Sequence, residues 1–154
     1  MKGRLLVGVG LVALLVVGGV ALVGLPTAQA TEGPAPEVVV SEFYGWYLDY
    51  IGGAGERRNP LVDRAYRSGE HLSAGFVAEV DESLASSEHI LGDPFLMAQD
   101  VPVKVEVGEA VVQGDEASVE VEMYWGGNPD PSERMVSLVQ VDGQWKIAGV
   151  EMAQ

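Results

Sequence analysis

Val119-Glu120-Val121-Glu122-Met123-Tyr124-Trp125 is the stretch on which the fold turns. Apolar and polar side chains alternate at nearly every step, the period of a β-strand with one face buried and the other in water. A helix would spread the same residues around its circumference. The pattern repeats upstream, where Val103, Val105 and Val107 alternate with Lys104 and Glu106, and Gly114-Asp115 lies between the two runs as a turn. Downstream, residues 134–142 and 144–152 form a second pair joined by Asp142-Gly143, a dipeptide suited to a tight hairpin because both positions tolerate positive φ. The Gly126-to-Ser132 segment, with two prolines, links the pairs. Trp145 and Ile147 share a parity with Gly149, whereas Val150 and Met152 fall on the other, so a bulge is expected at Gly149.

Before residue 100 the period is helical. Val38, Val39, Phe43, Trp46, Tyr47 and Tyr50 recur at three- and four-residue steps between Glu37 and Ile51, and Gly52-Gly53-Ala54-Gly55 ends the run. A second, short helix is expected from Asn59-Pro60-Leu61-Val62 to about Ser68. In a third, capped by Ser73, Phe76, Val77, Val80 and Leu84 form the buried stripe while Glu79, Asp81 and Glu82 face water. Asp93-Pro94 supplies a cap with proline in the first turn, so Phe95 to Ala98 reads as one helical turn against the core. Helices followed by strands make an α+β domain: N-terminal helices packed on a curved, mainly four-stranded antiparallel sheet.

The first thirty residues have a different character. Lys2 and Arg4 precede an uninterrupted run of apolar and glycine residues from Leu5 to Leu25, and Pro26-Thr27-Ala28-Gln29-Ala30 follows. This is the order of a secretory signal, with cleavage expected after Ala30. The run would span about 31 Å as a helix, enough to cross a bilayer, so retention as an N-terminal anchor is the alternative. Both outcomes leave the rest of the chain outside the cytoplasm: periplasmic, secreted or on the outer face of the plasma membrane. Residues 31–37, with two prolines and a glycine, read as a flexible tether, and 38–154 as a single domain.

Of the nine lysines and arginines two lie in the leader, whereas all 23 acidic residues follow it, so the exported part has a formal charge of −16. That balance disfavours nucleic acid and anionic lipid as partners, and membrane contact is expected only through residues 5–25 if they are retained. Solubility of an exported protein is the simplest reading of the surplus. Cysteine is absent, which excludes disulfides, thiolate chemistry and a lipid on a cysteine sulfur.

Candidate chemistry is sparse. His71 and His89 stand eighteen residues apart, match no metal-ligand spacing and flank the third helix, so surface or capping roles fit them best. Asp93 and Asp100 bracket a distinctive octet; a paired-carboxylate site would need them to converge, whereas an N-cap and a loop acceptor explain them more simply. Tyr44 and Trp46, with Tyr47 and Tyr50, have the polar-tipped aromatic character of a sugar or peptide groove, against the commoner fate of core packing. Asn128 to Glu133 offers oxygen ligands, but its prolines make a poor calcium loop. No catalytic residue, metal site or cofactor is therefore expected, and Tyr44, Trp46, Asp93 and Asp100 remain the candidate binding residues.

Several segments together resemble domain-of-unknown-function family 3828, a group of exported bacterial proteins. They are the Val40-to-Leu48 helix, Asn59-Pro60-Leu61-Val62, the Asp93-to-Asp100 octet and the Asp142-Gly143-Gln144-Trp145-Lys146-Ile147 hairpin. The likeness spans residues 38–152, and it implies location and fold without a reaction. Members often bear a lipid on cysteine, which this chain lacks. More distantly, a helical start closed by an Asp-Gly-x-Trp-x-Ile hairpin looks like the nuclear transport factor 2-like or cystatin-like cone, in which a curved sheet wraps around a helix. The expectation is a non-enzymatic envelope domain that binds a protein or cell-wall component; the alternative is a small-pocket ligand carrier or acid/base enzyme using Asp100 or His71.

Overall fold

The structure, a computed structural model, describes residues 33–53, 58–86 and 92–153. The expected leader cleavage site, the Leu5–Leu25 run and His89 lie outside the described residues. Two α-helices, α1 (Pro36–Gly52) and α2 (Ala74–Ala85), precede four strands: β1 (Lys104–Gln113), β2 (Glu116–Tyr124), β3 (Ser132–Val141) and β4 (Gln144–Met152). The strands form an open antiparallel meander in chain order, and the α+β architecture read from the sequence is the one observed. Among the described residues no helix is long and apolar enough to cross a membrane.

Strict alternation sets the inner face. Ala117, Val119, Val121 and Met123 of β2, Val136 and Leu138 of β3, and Trp145 and Ile147 of β4 are all buried. Against them α1 lays Val39, Val40, Phe43, Tyr44 and Tyr47, while α2 contributes Phe76 and Val80. Removing this apolar surface from water is the main force holding the layers together, at about 25 cal/mol per Å².

Local chemistry sets the boundaries. Pro36 occupies the first turn of α1, where its missing N–H costs nothing. The Ser73 hydroxyl accepts from the Phe76 amide at 3.2 Å and caps α2 as expected. The Asp142-Gly143 turn has φ of 51° and 78°, the left-handed pair that a two-residue hairpin demands.

Four expectations need correction. No α-helix starts at Asn59: its Oδ1 accepts from the Leu61 and Val62 amides, but Arg64 turns left-handed (φ 53°) and only a 3₁₀ turn, Ala65–Ser68, follows. β1 runs on past Val107 to Gln113, because Gly108 and Glu109 bulge opposite Glu120 and hide the continuing alternation. A Cβ on Gly108 would stand 3.1 Å from the Glu120 carbonyl oxygen, so glycine suits the close approach. Val38, placed on the apolar face of the first helix, is 42% exposed. Asp81 does not simply face water: Tyr66 donates to it, and Arg67 pairs with it at 2.8 Å. The bulge in β4 is where parity placed it, with the register shifting between Ser137 and Leu138 opposite Gly149 and Ile147.

Candidate functional site

The octet from Asp93 to Asp100 lies beside α1, and its role begins with backbone satisfaction. A tight loop buried against a core must find partners for each peptide group. The Asp93 Oδ1 accepts from the Phe95 amide at 2.8 Å and the Leu96 amide at 3.2 Å. The matching carbonyls are taken from the other side: Tyr44 Oη donates to Phe95 O and Arg134 Nε to Leu96 O, both at 2.8 Å. The Met97 amide donates back to Asp93 O, which makes the single helical turn foreseen from Asp93-Pro94, and Met97 then closes the loop with φ of 51°. Gly92 sits so close to Ala98 that a Cβ would lie 2.8 Å from its carbonyl oxygen.

So held, the loop inserts Phe95 among Phe43, Tyr47, Tyr66 and Phe76, with ring centroids 5.3–5.6 Å away. Edge-on and tilted contacts at this spacing are favourable for aromatic pairs. Phe95 is fully buried, as are Phe43, Tyr44, Tyr47 and Tyr66. The loop also completes the burial of Tyr44, whose ring packs edge-on against Phe43 and whose hydroxyl reaches the Phe95 carbonyl. The sheet covers one flank of the helix and the octet covers the next.

The electrostatics follow from this burial. Desolvation raises the Asp93 carboxyl above the usual carboxylate range, opposed by the Tyr47 hydroxyl (2.5 Å to Oδ2) and the two amides. Burial also raises Tyr44 and Tyr47, reinforced by the Asp93 charge, so both hydroxyls stay protonated and donate. Arg134, only 2% exposed, is lowered by desolvation and spends its donors on Leu96 O, Glu133 O and Ser132 Oγ.

The other sequence candidates are placed as follows. Asp93 and Asp100 both border one open depression of about 360 Å³ with Arg58, Asn59 and Leu61, so the octet does bring its two carboxylates to a common rim. The Asp93 carboxylate is engaged within the fold by the Tyr47 hydroxyl and the Phe95 and Leu96 amides. Trp46 is half-buried, its ring 5.6–5.9 Å from those of Phe43, Tyr47 and Tyr50. His71 lies in the turn just before Leu72, beside β4; its Nε2 lies 3.7 Å from the exposed Glu42 carboxylate, and its buried Nδ1 has no hydrogen-bond partner among the described residues. Among the described residues no group of three or more acidic or histidine side chains is placed to hold a metal.

Arg134 was missed in the sequence reading; its place in the inward-facing register of β3, between Ser132 and Val136, was the available signal. Missed too was the depression of about 380 Å³ on the outer side of the sheet, lined by Val111, Ser118, Ser137, Val139 and Ala148.

The fold is similar to that of a chain in the native type VI effector-immunity complex Tae3-Tai3 from Ralstonia pickettii. That match has a TM-score of 0.62 and 25% identity, and covers 78% of this chain and 96% of the other. A chain of the selenomethionine form of the same complex matches with a TM-score of 0.60 at 25% identity, covering 78% and 97%. No protein-family model matches the sequence, and none of the curated proteins does.

Proposed function

We propose that this chain is an exported protein-binding domain of the immunity type, which acts by capturing another protein outside the cytoplasm. One observation carries the reading: the structural likeness runs over nearly the whole length of a chain crystallised in an effector-immunity complex. Three features of this chain support it. Among the described residues Phe95 and the surrounding rings occupy the interior, and the two depressions named above open on the surface, as suits a domain that binds through its faces. The Asp93 carboxylate is spent on the octet's own amides and the Tyr47 hydroxyl. The basic, apolar and Ala-Gln-Ala leader would deliver the domain to the compartment in which a secreted effector meets its target. Of the two members of such a complex, the immunity role suits a domain that works by occupying a partner. Kinship with family 3828 belongs to the same proposal as a shared address and contributes no activity.

Deleting the gene from its host while leaving secreted effector genes intact tests the proposal. Cells lacking the protein should lose viability in contact with sister cells. The full chain supplied in trans should restore it, and a version without residues 1–30 should not. Unchanged survival of the deletion strain in dense contact would count against an immunity role.

A further inference from the structure

Among the described residues the outer face of the sheet is unpartnered, since α1 and α2 pack on the face that carries Val119, Val121, Val136 and Ile147. Antiparallel register arranges its side chains in rows. One row runs Val111, Ser118, Ser137 and Gly149 across all four strands. A solvated sheet face ordinarily carries long polar side chains. Here the middle of the face carries two serines and a glycine, and Ala148 lies beside them, so the surface is dished into the depression of about 380 Å³. Its apolar wall includes Val139 and Val111, the latter 59% exposed.

On one flank lie two further rows, Glu120–Met135–Glu151 and Glu106–Glu122–Glu133. Glu116 stands on the other flank, opposite Val139. Five glutamates therefore stand on one flank of the trough and one, Glu116, lines its other side, against two lysines on the same face, and both lysines are engaged. Lys104 pairs with Glu106 at 2.5 Å, and Lys146 donates to the Glu70 carbonyl. Like charges opposed across strands are unfavourable for the fold itself, and Glu106–Glu122–Glu133 is such a series. The Tyr124 hydroxyl, 2.8 Å from Glu106 and 3.0 Å from Glu122, relieves it in part.

We infer that this dished face is the docking surface, and that its occupant is a basic segment of the captured protein whose arginine or lysine stems lie along the trough while their heads reach the flanking glutamates. The inference deepens the protein-binding reading above and rests on it. Charge complementarity names the occupant: the exported part of the chain carries a formal charge of −16, and such a field speeds encounter with a cationic partner. The trough names the mode. Long cationic side chains cover apolar surface with their stems, and charge-assisted hydrogen bonds to carboxylates fix their ends.

The native chain has no cysteine, so a single introduced thiol reports from one place only. The exported protein is labelled with a fluorophore at Gln113→Cys, at the end of the trough, or at Ser41→Cys on the exposed side of α1. It is then titrated at low salt with a short peptide alternating arginine and leucine, and with its glutamate–leucine counterpart. The expected result is saturable binding of the cationic peptide alone, reported at Gln113→Cys and not at Ser41→Cys. Glu120→Lys with Glu151→Lys should weaken it about tenfold or more. Ser137→Trp fills the trough without altering charge and should weaken it by about tenfold too, a loss that diffuse attraction to a polyanion would not produce. Ser118→Tyr serves the same purpose should the tryptophan variant prove unfolded by circular dichroism. Absence of saturable binding, equal responses at the two labels, or undiminished affinity in the folded trough-filled variant each overturn the assignment of this face. None of these touches the contact-survival test, whose failure would instead remove the immunity reading.

Discussion

Substitution of Asp93 separates a carboxylate that holds the fold from one kept for chemistry. Its Oδ1 serves two amides and its Oδ2 the Tyr47 hydroxyl. Asp93→Ala removes a capping acceptor, worth about 1 kcal/mol, and leaves the buried Tyr47 hydroxyl and the loop amides short of partners, at about 1–3 kcal/mol. The expected loss is about 2–4 kcal/mol in urea unfolding followed by circular dichroism. Asp93→Asn should behave differently. Its side-chain oxygen still serves the Phe95 and Leu96 amides, its NH₂ group can donate to Tyr47 Oη, and it has no charge to desolvate.

The pH dependence sharpens the contrast. Burial raises the folded-state pKa of Asp93, so the native protein binds this proton more tightly than the unfolded chain does. The stability linked to it is fully present below the ordinary carboxylate range of about 4 and is lost as pH climbs through the raised value. Relative to Asp93→Asn, the unsubstituted protein should therefore weaken as pH rises from about 4, and at pH 7 the asparagine variant should be at least as stable. Asp93→Ala within about 0.5 kcal/mol of the unsubstituted protein, or Asp93→Asn as damaging as Asp93→Ala at pH 7, would refute the structural assignment of this carboxylate.

Further outcomes follow from the same geometry. Phe95→Ala empties the centre of the aromatic cluster and should cost about 3–5 kcal/mol; a loss under about 1.5 kcal/mol in thermal unfolding would mean that the cluster collapses around the gap. Gly143→Val forces a β-branched residue to φ of 78° and should destabilise by about 1–2 kcal/mol without changing the peptide-binding face, as read by unfolding and titration together. Intact-mass measurement of the exported protein should show a start at Thr31; retention of Lys2 through Leu25 would mean anchoring instead.

The sheet was legible because its inner face obeys a two-residue period that no other element mimics. Val119, Val121 and Met123 are buried as that period requires, and Asp142-Gly143 makes the turn its chemistry dictates. Legibility failed where tertiary contact overrides local pattern. The extension of β1 was hidden by a two-residue bulge whose cause, the approach of Gly108 to the Glu120 carbonyl, lies on another strand. The groove and core readings of Tyr44 stood side by side on the sequence because the loop that buries it arrives from fifty residues downstream. Arg134 could not be recognised as the clasp of that loop, since its partner is the carbonyl of Leu96 and carbonyls leave no mark on sequence. The Asp93-to-Asp100 octet stood out as distinctive for a sound reason, but its demands are those of a buried turn.

That the octet is structural constrains where function can lie. A ligand entering between α1 and the sheet would have to displace Phe95 or a ring packed on it, and emptying such a site costs about 3–5 kcal/mol before any contact with the ligand is made. The outer face asks for no such displacement. Its small side chains lose little conformational entropy when covered, because serine and glycine have few rotamers to surrender. Its opposed glutamates, Glu106, Glu122 and Glu133, place like charges side by side, and a cationic partner would add to the relief that Lys104 and the Tyr124 hydroxyl already give. Alternation along β2 thus gives one strand two faces: Val119, Val121 and Met123 hold the sheet to its helices, while Glu120 and Glu122 stand on the outer face, where a basic partner would meet them.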